Sequence, residues 1–207
     1  MEIILLRHGL TAGNLAGRYI GKTDDPLCEE GIALLKNQGV FPDITRLYVS
    51  GMLRARQTAA LLFPNAEQVI CEGLGEMDFG EYEGRSAADM ENDSSYRNWV
   101  AGNCREACPG GESMEIFADR IYKAFDRIIT DNIEKNNGSG ESSDNRVVIV
   151  AHGGTIMAVM QQFACQEQDY FTWHVGNGQG YRAYLDENSW NRKPVLTSYS
   201  KWEVLDL

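Results

Sequence analysis

Two histidines occupy matching local settings. His8 comes after the apolar run Ile3-Ile4-Leu5-Leu6 and Arg7, and before Gly9; His152 comes after Val147-Val148-Ile149-Val150-Ala151 and before Gly153-Gly154. Short, unbroken runs of branched residues have the pattern of strands buried on both faces. Each histidine is therefore delivered to the carboxyl end of a strand, where open α/β sheets bind ligands. Arg7 adjoins the first histidine, and Arg54 lies just beyond a third short strand, Leu47-Tyr48-Val49, in Ser50-Gly51-Met52-Leu53-Arg54. A lone histidine at a strand end is ordinarily a hydrogen-bonded structural residue. Two at His-Gly junctions, with strand-adjacent arginines, point instead to phosphoryl chemistry.

The physical reason is charge. A phosphoryl group spreads negative charge over several oxygens, so moving it requires fixed donors around them and an attacking atom in line. Guanidinium groups supply bidentate, permanently charged donors. An imidazole, with an ordinary pKa of about 6.5, is largely neutral and nucleophilic at neutral pH, and cationic neighbours favour that neutral form.

The elements that must hold these residues follow from periodicity. Arg18 to Pro26 reads as a polar loop, and Leu27 to Val40 as a helix through Ile32, Leu34 and Leu35. Leu53 to Phe63 has helical spacing and stops at Pro64. Ala66 to Cys71 reads as a strand, Leu74 to Gly84 as a loop, and Ser86 to Cys108 as a helical excursion anchored by Tyr96, Trp99 and Val100. A long helix is expected from Ser113, in the N-cap position, to about Asn136, with Ile116, Phe117, Ile121, Phe125, Ile128 and Ile129 on one face. Asn136 to Asn145 has the composition of a polar connector. The strand at Val147 to Ala151 leads to a helix from Thr155 to about Cys165. Gly180 to Asp186 and Val195 to Leu205 alternate like a terminal hairpin. Strands alternating with helices predict a three-layer α/β sandwich with a mostly parallel central sheet. Its 207 residues fit one domain, 1–207, with the small excursion at about 86–110.

Composition narrows the partners. Thirty acidic against 19 basic residues give a formal charge of -11, which opposes broad attraction to nucleic acid or an anionic membrane. An anionic substrate needs a local basic pocket. Five cysteines at irregular spacing exclude a complete disulfide framework, so reduced thiols and a cytoplasmic setting are expected. No run approaches the roughly 18 to 20 apolar residues needed to span a bilayer. His-x-His, His-Glu-x-x-His and Cys-x-x-Cys spacings are missing, so no metal or other cofactor is expected.

Five blocks, in order and spacing, carry a family resemblance. They are Arg7-His8-Gly9 with Thr11 and Asn14, continuing to Gly21-Lys22-Thr23-Asp24-Asp25-Pro26-Leu27 and Gly31; Ser50 with Arg54-Ala55 and Gln57-Thr58-Ala59; Leu74, Glu76, Phe79-Gly80 and Glu83-Gly84; Gly110-Gly111-Glu112-Ser113; and Ala151-His152-Gly153-Gly154. From Ile3 to about Met160 the chain resembles the histidine phosphatase superfamily, which includes the cofactor-dependent phosphoglycerate mutases. The resemblance implies a phosphoglycerate mutase-like fold and a phosphohistidine mechanism on a small-molecule phosphate monoester. It implies His8 as the phosphorylated residue, Arg7, Arg54 and His152 completing the phosphate pocket, and Asn14 and the Gly153 amide as further donors. Glu76 would protonate the leaving oxygen and then activate water, with Asp78, Glu81 and Glu83 as its rivals.

Within the family, Gly17 to Asp24 and Glu76 to Glu83 are most similar to the α-ribazole phosphatase branch, which implies α-ribazole 5'-phosphate as substrate. Leu10, where Glu is common, and Tyr82, where Trp is frequent, depart from its pattern and are expected to alter the pocket edge. The alternatives are a phosphoglycerate mutase, although mutases carry a longer segment before the second His-Gly block and a Ser-x-Trp-Asn version of Thr11-Ala12-Gly13-Asn14, and a non-catalytic phosphoester-binding module. Arg97, Trp99 and Arg105 are candidates to face substrate. His174 is expected at the pocket rim or in a structural role.

Overall fold

A computed structural model describes residues 1–138 and 145–202. Among these, six strands form one sheet in the order β3-β2-β4-β1-β5-β6. They are β1 (Glu2–Arg7), β2 (Arg46–Val49), β3 (Glu67–Ile70), β4 (Arg146–Ala151), β5 (Gly180–Leu185) and β6 (Leu196–Trp202). β1 through β4 run parallel, and β5 joins β1 antiparallel and pairs with β6 as the expected hairpin. The sheet is mostly parallel and lies between two helical layers, as the alternation of elements predicts.

The reason for three layers is visible in β1 and β4. Ile3 and Leu5 face one core with Val147 and Ile149; Ile4 and Leu6 face the other with Val148 and Val150. Both sides of each strand are apolar, so both must be covered. Helices α5 (Met114–Gly138) and α6 (Gly153–Phe163) cover the first side through Phe117, Phe125 and Val159. Helices α2 (Glu29–Asn37) and α3 (Leu53–Leu62) cover the second through Leu35, Ala55 and Leu62. Each fully buried side chain of this size contributes about 1.5–3 kcal/mol.

The register matters most at one point. Arg7 pairs with Ala151, and the His8 N–H donates to the Ala151 carbonyl at 2.9 Å. In-register parallel pairing therefore ends both strands together and sets the two His-Gly junctions side by side.

Several boundaries and faces differ from expectation. α2 starts at Glu29 because Cys28 caps it, its Sγ accepting the Gly31 N–H, while Leu27 bridges to Thr11. Leu34 turns outward, since Gly31 and Leu35 define the buried stripe. Ile116 is exposed next to Phe117; Val100 is exposed next to Trp99. In both pairs the stripe follows only one of two consecutive apolar residues. Ser113 does cap α5, its hydroxyl accepting the Ile116 N–H. α6 begins at Gly153 rather than Thr155, with His152 at its N-cap. The Leu74 to Gly84 loop is bracketed by 3-10 turns at Glu72–Leu74 and Gly80–Tyr82. Residues 139–144 of the polar connector and 203–205 of the last alternating segment lie outside the described residues.

Helix α4 (Ser94–Ala101) is the helical part of the excursion at 86–110, flanked by turns. Its Tyr96 and Trp99 join Tyr82, Met90 and Cys108 in a small separate core. The excursion therefore packs against the loops that carry Tyr19, Phe79 and Tyr82, and Trp99 reaches the cavity at the β1 and β4 ends.

Candidate active site

His8 and His152 meet with ring centroids 5.2 Å apart and planes 61° from parallel. Both are buried, as is Arg54. The His8 Nδ1 lies 2.7 Å from the Gly9 carbonyl oxygen. A carbonyl only accepts, so Nδ1 carries the hydrogen and Nε2 keeps a lone pair. Burial, then Arg54 and then Arg7 hold the His8 pKa well below its ordinary value. The ring is neutral at neutral pH, as the flanking guanidinium groups require. His152 is likewise held well below the ordinary range by burial and by its neighbours His8, Arg54 and Arg7.

Three buried nitrogens in this group have no hydrogen-bond partner among the described residues: Arg7 Nε, Arg54 Nε and His152 Nδ1. Buried polar nitrogens are almost always satisfied, so three unpartnered ones in one group are unusual. The rest of each side chain is held by protein. Arg7 Nη1 donates to the Val175 carbonyl at 2.7 Å and to His174 Nε2 at 3.3 Å. Arg54 Nη1 donates to Thr23 O at 2.7 Å and Nη2 to Gly21 O at 2.8 Å. His152 Nε2 is 2.8 Å from Ser50 Oγ.

Asn14 lies on the short helix α1 (Ala12–Leu15), which Thr11 caps by accepting the Asn14 N–H. Its Oδ1 accepts the Asn177 Nδ2–H and the Thr11 N–H. A cavity of about 280 Å³ opens here, and Arg7, Asn14, Glu76, Gly153 and Gly154 contribute its polar lining. Tyr19, Phe79, Trp99, Tyr170 and Phe171 contribute aromatic surface to the same cavity. His8, Arg54 and His152 do not bound it themselves and form the buried group beside it.

The four acidic rivals separate by what they touch. Glu76 Oε2 accepts the Gly154 N–H at 3.0 Å at the start of α6, and its carboxylate faces the cavity. A Cβ on residue 154 would overlap Glu76 Oε1, which is why the second junction is His-Gly-Gly. Asp78 pairs with Lys22 at 2.7 Å and accepts the Gly80 N–H. Glu81 is exposed. Glu83 accepts the N–H groups of Gly21, Lys22, Thr23 and Phe79 together with the Thr23 hydroxyl. It holds the loop whose carbonyls take Arg54, and so acts on the site through that loop.

Some residues without a sequence signal turn out to support the group. Asn177 donates to the carbonyls of His8 and Gly9 from the turn before β5. Arg120 of α5, paired with Glu112, donates to the carbonyls of Gly73, Gly75 and Glu76 and so fixes the Glu76 backbone. Thr155 donates to Leu74 O, and Tyr170 to Gly154 O. Nothing local distinguishes these from ordinary polar positions on helices and turns.

Two departures expected at the pocket edge lie elsewhere. The Leu10 backbone lies against the start of α2, its carbonyl accepting the Cys28 N–H and closely approaching Gly31. Tyr82 is buried in the aromatic core of the excursion, its hydroxyl donating to Ser95 Oγ. Of the three candidates on the excursion, Trp99 reaches the cavity; Arg97 donates to Glu91 O, and Arg105 borders neighbouring grooves. His174 does lie at the rim. Among the described residues no three His, Cys, Asp or Glu side chains group as metal ligands, and no helix is long and apolar enough to cross a membrane.

A mostly parallel sheet that gathers a neutral histidine, a second histidine and two guanidinium groups with unpartnered donors beyond its strand ends defines a phosphate-ester-handling α/β protein. The chain belongs to the histidine phosphatase superfamily (branch 1), whose model matches residues 3–194. Phosphatase activity on small phosphate esters is the function that membership carries. The chain is 28% identical over 210 residues to an adenosylcobalamin/alpha-ribazole phosphatase of Salmonella typhimurium, covering 98% of each chain. It is 28% identical over 171 residues to a 2,3-bisphosphoglycerate-dependent phosphoglycerate mutase of Gloeobacter violaceus, covering 77% of this chain and 74% of that one. The structure is similar to the alpha-ribazole phosphatase of Shigella flexneri, with a TM-score of 0.74, 25% identity and 96% of each chain covered.

Proposed function

We propose that the protein hydrolyses a phosphate monoester through a phosphohistidine on His8, in the manner of histidine acid-type phosphatases, and that its substrate is α-ribazole 5'-phosphate. The observation that carries this reading is the set of three orphaned donors, Arg7 Nε, Arg54 Nε and His152 Nδ1, beside a histidine whose free lone pair is on Nε2. In the first step His8 Nε2 attacks phosphorus, the N–P bond forms and the ester P–O bond breaks. Arg7, Arg54, His152, Asn14 and the Gly153 amide hold the phosphoryl oxygens, and Glu76 gives its proton to the leaving oxygen. In the second step Glu76 takes a proton from water, the hydroxide attacks phosphorus, and the N–P bond breaks to release phosphate. Splitting the displacement this way replaces one difficult step with two easier ones.

Ser50 has a place in this scheme. Its Oγ accepts the Met52 N–H and lies 2.8 Å from His152 Nε2, and in this scheme its hydroxyl donates to that nitrogen. His152 Nδ1 then carries the proton that the phosphoryl oxygen takes.

The leaving group meets the aromatic part of the cavity, which suits a flat, apolar base on a ribose better than a small polyanion. The same reading treats 1–207 as one such domain, with the excursion at about 86–110 supplying that wall and a cytoplasmic small-molecule phosphate monoester as its substrate. Incubating the purified protein with α-ribazole 5'-phosphate, or with 3-phosphoglycerate and a bisphosphoglycerate primer, tests it. We expect phosphate release from the first and no isomer from the second; 2-phosphoglycerate formation would make the protein a mutase.

A further inference from the structure

We propose that His174 is a positioning residue for Arg7: its imidazole accepts the Arg7 Nη1–H and so turns the Nε and Nη2 edge of the guanidinium toward the phosphoryl oxygens. The proposal rests on the phosphate role given to Arg7 under Proposed function.

Arg7 comes off β1 with two separate restraints from one segment. The Arg7 N–H donates to the Gln179 carbonyl and the Gly178 N–H donates to the Arg7 carbonyl, so residues 178–179 hold its backbone. Residues 174–175 hold its side chain, where Nη1 donates to Val175 O at 2.7 Å and His174 Nε2 at 3.3 Å. Both known contacts use Nη1, and Nε is buried with no partner. A guanidinium is planar and has two edges able to grip an oxyanion with paired donors. With Nη1 occupied on its outer side, the Nε and Nη2 edge is the one left for phosphate.

His174 is suited to this task by its frame. Trp173 and Val175 on either side are buried, Trp173 packing edge-on against Tyr181 and Tyr199. The backbone between them cannot drift, while the His174 ring itself is exposed at the cavity rim. Arginine has no acceptor, so Nε2 must be the accepting nitrogen and the ring must be neutral. Partial desolvation, then Arg7 and Lys201, lower the His174 pKa and favour that neutral state. A cationic ring would lose the acceptor and repel the guanidinium.

The test uses His174→Ala, His174→Gln and Arg7→Ala in the full chain, read by hydrolysis of p-nitrophenyl phosphate and competitive inhibition by inorganic phosphate. Because the ring is exposed, both His174 variants should fold with unchanged melting temperature. For His174→Ala we expect KM and the phosphate inhibition constant to rise about five- to tenfold, with a smaller fall in kcat. For His174→Gln, whose amide oxygen can accept the same hydrogen, we expect values within about twofold of wild type. In the double variant with Arg7→Ala, His174→Ala should add nothing, because its effect passes through Arg7. Unchanged KM and phosphate inhibition in His174→Ala, equal impairment of the Ala and Gln variants, or a full additive loss in the double variant would each overturn the proposal. Arg7→Ala with undiminished phosphate affinity would instead overturn the role of Arg7 itself.

Discussion

His8 stands edge-on to His152 at 5.2 Å between ring centroids, and the two rings reach that distance from opposite halves of the chain. The contact is possible because β1 and β4 pair in register up to Arg7 and Ala151. Any insertion that shifted this register by one residue would send one ring to the other face of the sheet.

The first expectation concerns the nucleophile. His8→Ala should lower kcat on p-nitrophenyl phosphate by at least about a thousandfold, since the proposed covalent intermediate forms on His8. Rapid quench with mass spectrometry should find one phosphoryl group on the His8 peptide in wild type. A His8→Ala protein as active as wild type would refute the mechanism.

Glu76→Gln keeps an oxygen for the Gly154 N–H but can serve neither as general acid nor as general base. We expect kcat to fall about 10²- to 10⁴-fold with a natural alcohol leaving group. The loss in the phosphorylation step should be smaller for p-nitrophenolate, which leaves without a proton. Burst kinetics separate the two steps.

Stability should depend on pH in a definite direction. His8 and His152 have folded pKa values well below 6.5, so below about pH 6.5 the unfolded chain binds protons that the folded chain excludes. Their contribution is complete above the ordinary histidine value and is lost as pH falls from there toward the depressed folded values. Each such group gives a limiting slope of about 1.4 kcal/mol per pH unit. Thermal melts between about pH 4.5 and 7.5 should show this decline, and the double variant His8→Asn, His152→Asn should flatten it.

Glu83→Ala removes one carboxylate that satisfies four backbone amides and a hydroxyl. We expect a loss of about 2–3 kcal/mol in unfolding free energy. KM should also rise, because the Gly21 and Thr23 carbonyls that orient Arg54 lose their anchor. Denaturant melts and p-nitrophenyl phosphate kinetics measure the two effects.

Phe171 is 53% exposed and borders the cavity, so truncating it disturbs little packing. Phe171→Ala should raise KM for α-ribazole 5'-phosphate several-fold, as loss of one aromatic contact does, and leave phosphate inhibition unchanged. Equal effects on both would place Phe171 in the phosphate pocket instead.

Much of this protein is legible in one dimension. Ile3 to Leu6 and Val147 to Val150 are apolar at every position, so both strands must be buried on both faces, and a layered α/β sheet follows. The residues that close those strands, Arg7-His8 and His152-Gly153-Gly154, are local in sequence, and so is their chemistry. What local pattern could not resolve were positions where two neighbouring apolar residues compete for one stripe, as with Phe117 and the outward Ile116, or Trp99 and the outward Val100. Only the partner surface decides such pairs.

Motif position singles out Glu76 among four acids, but only the tertiary structure shows what each of them touches. Glu76, Asp78, Glu81 and Glu83 are equivalent by type and lie within one loop; contact with the α6 amide, with Lys22, with solvent or with the Gly21 to Thr23 backbone tells them apart. It also alone revealed the supports, such as Ser50 behind His152, Asn177 behind His8 and Arg120 behind Glu76. A residue type and its spacing specify which groups are available, because strand ends are local. Which of those groups meet depends on hydrogen bonds between distant segments, and these exist only once the sheet has closed.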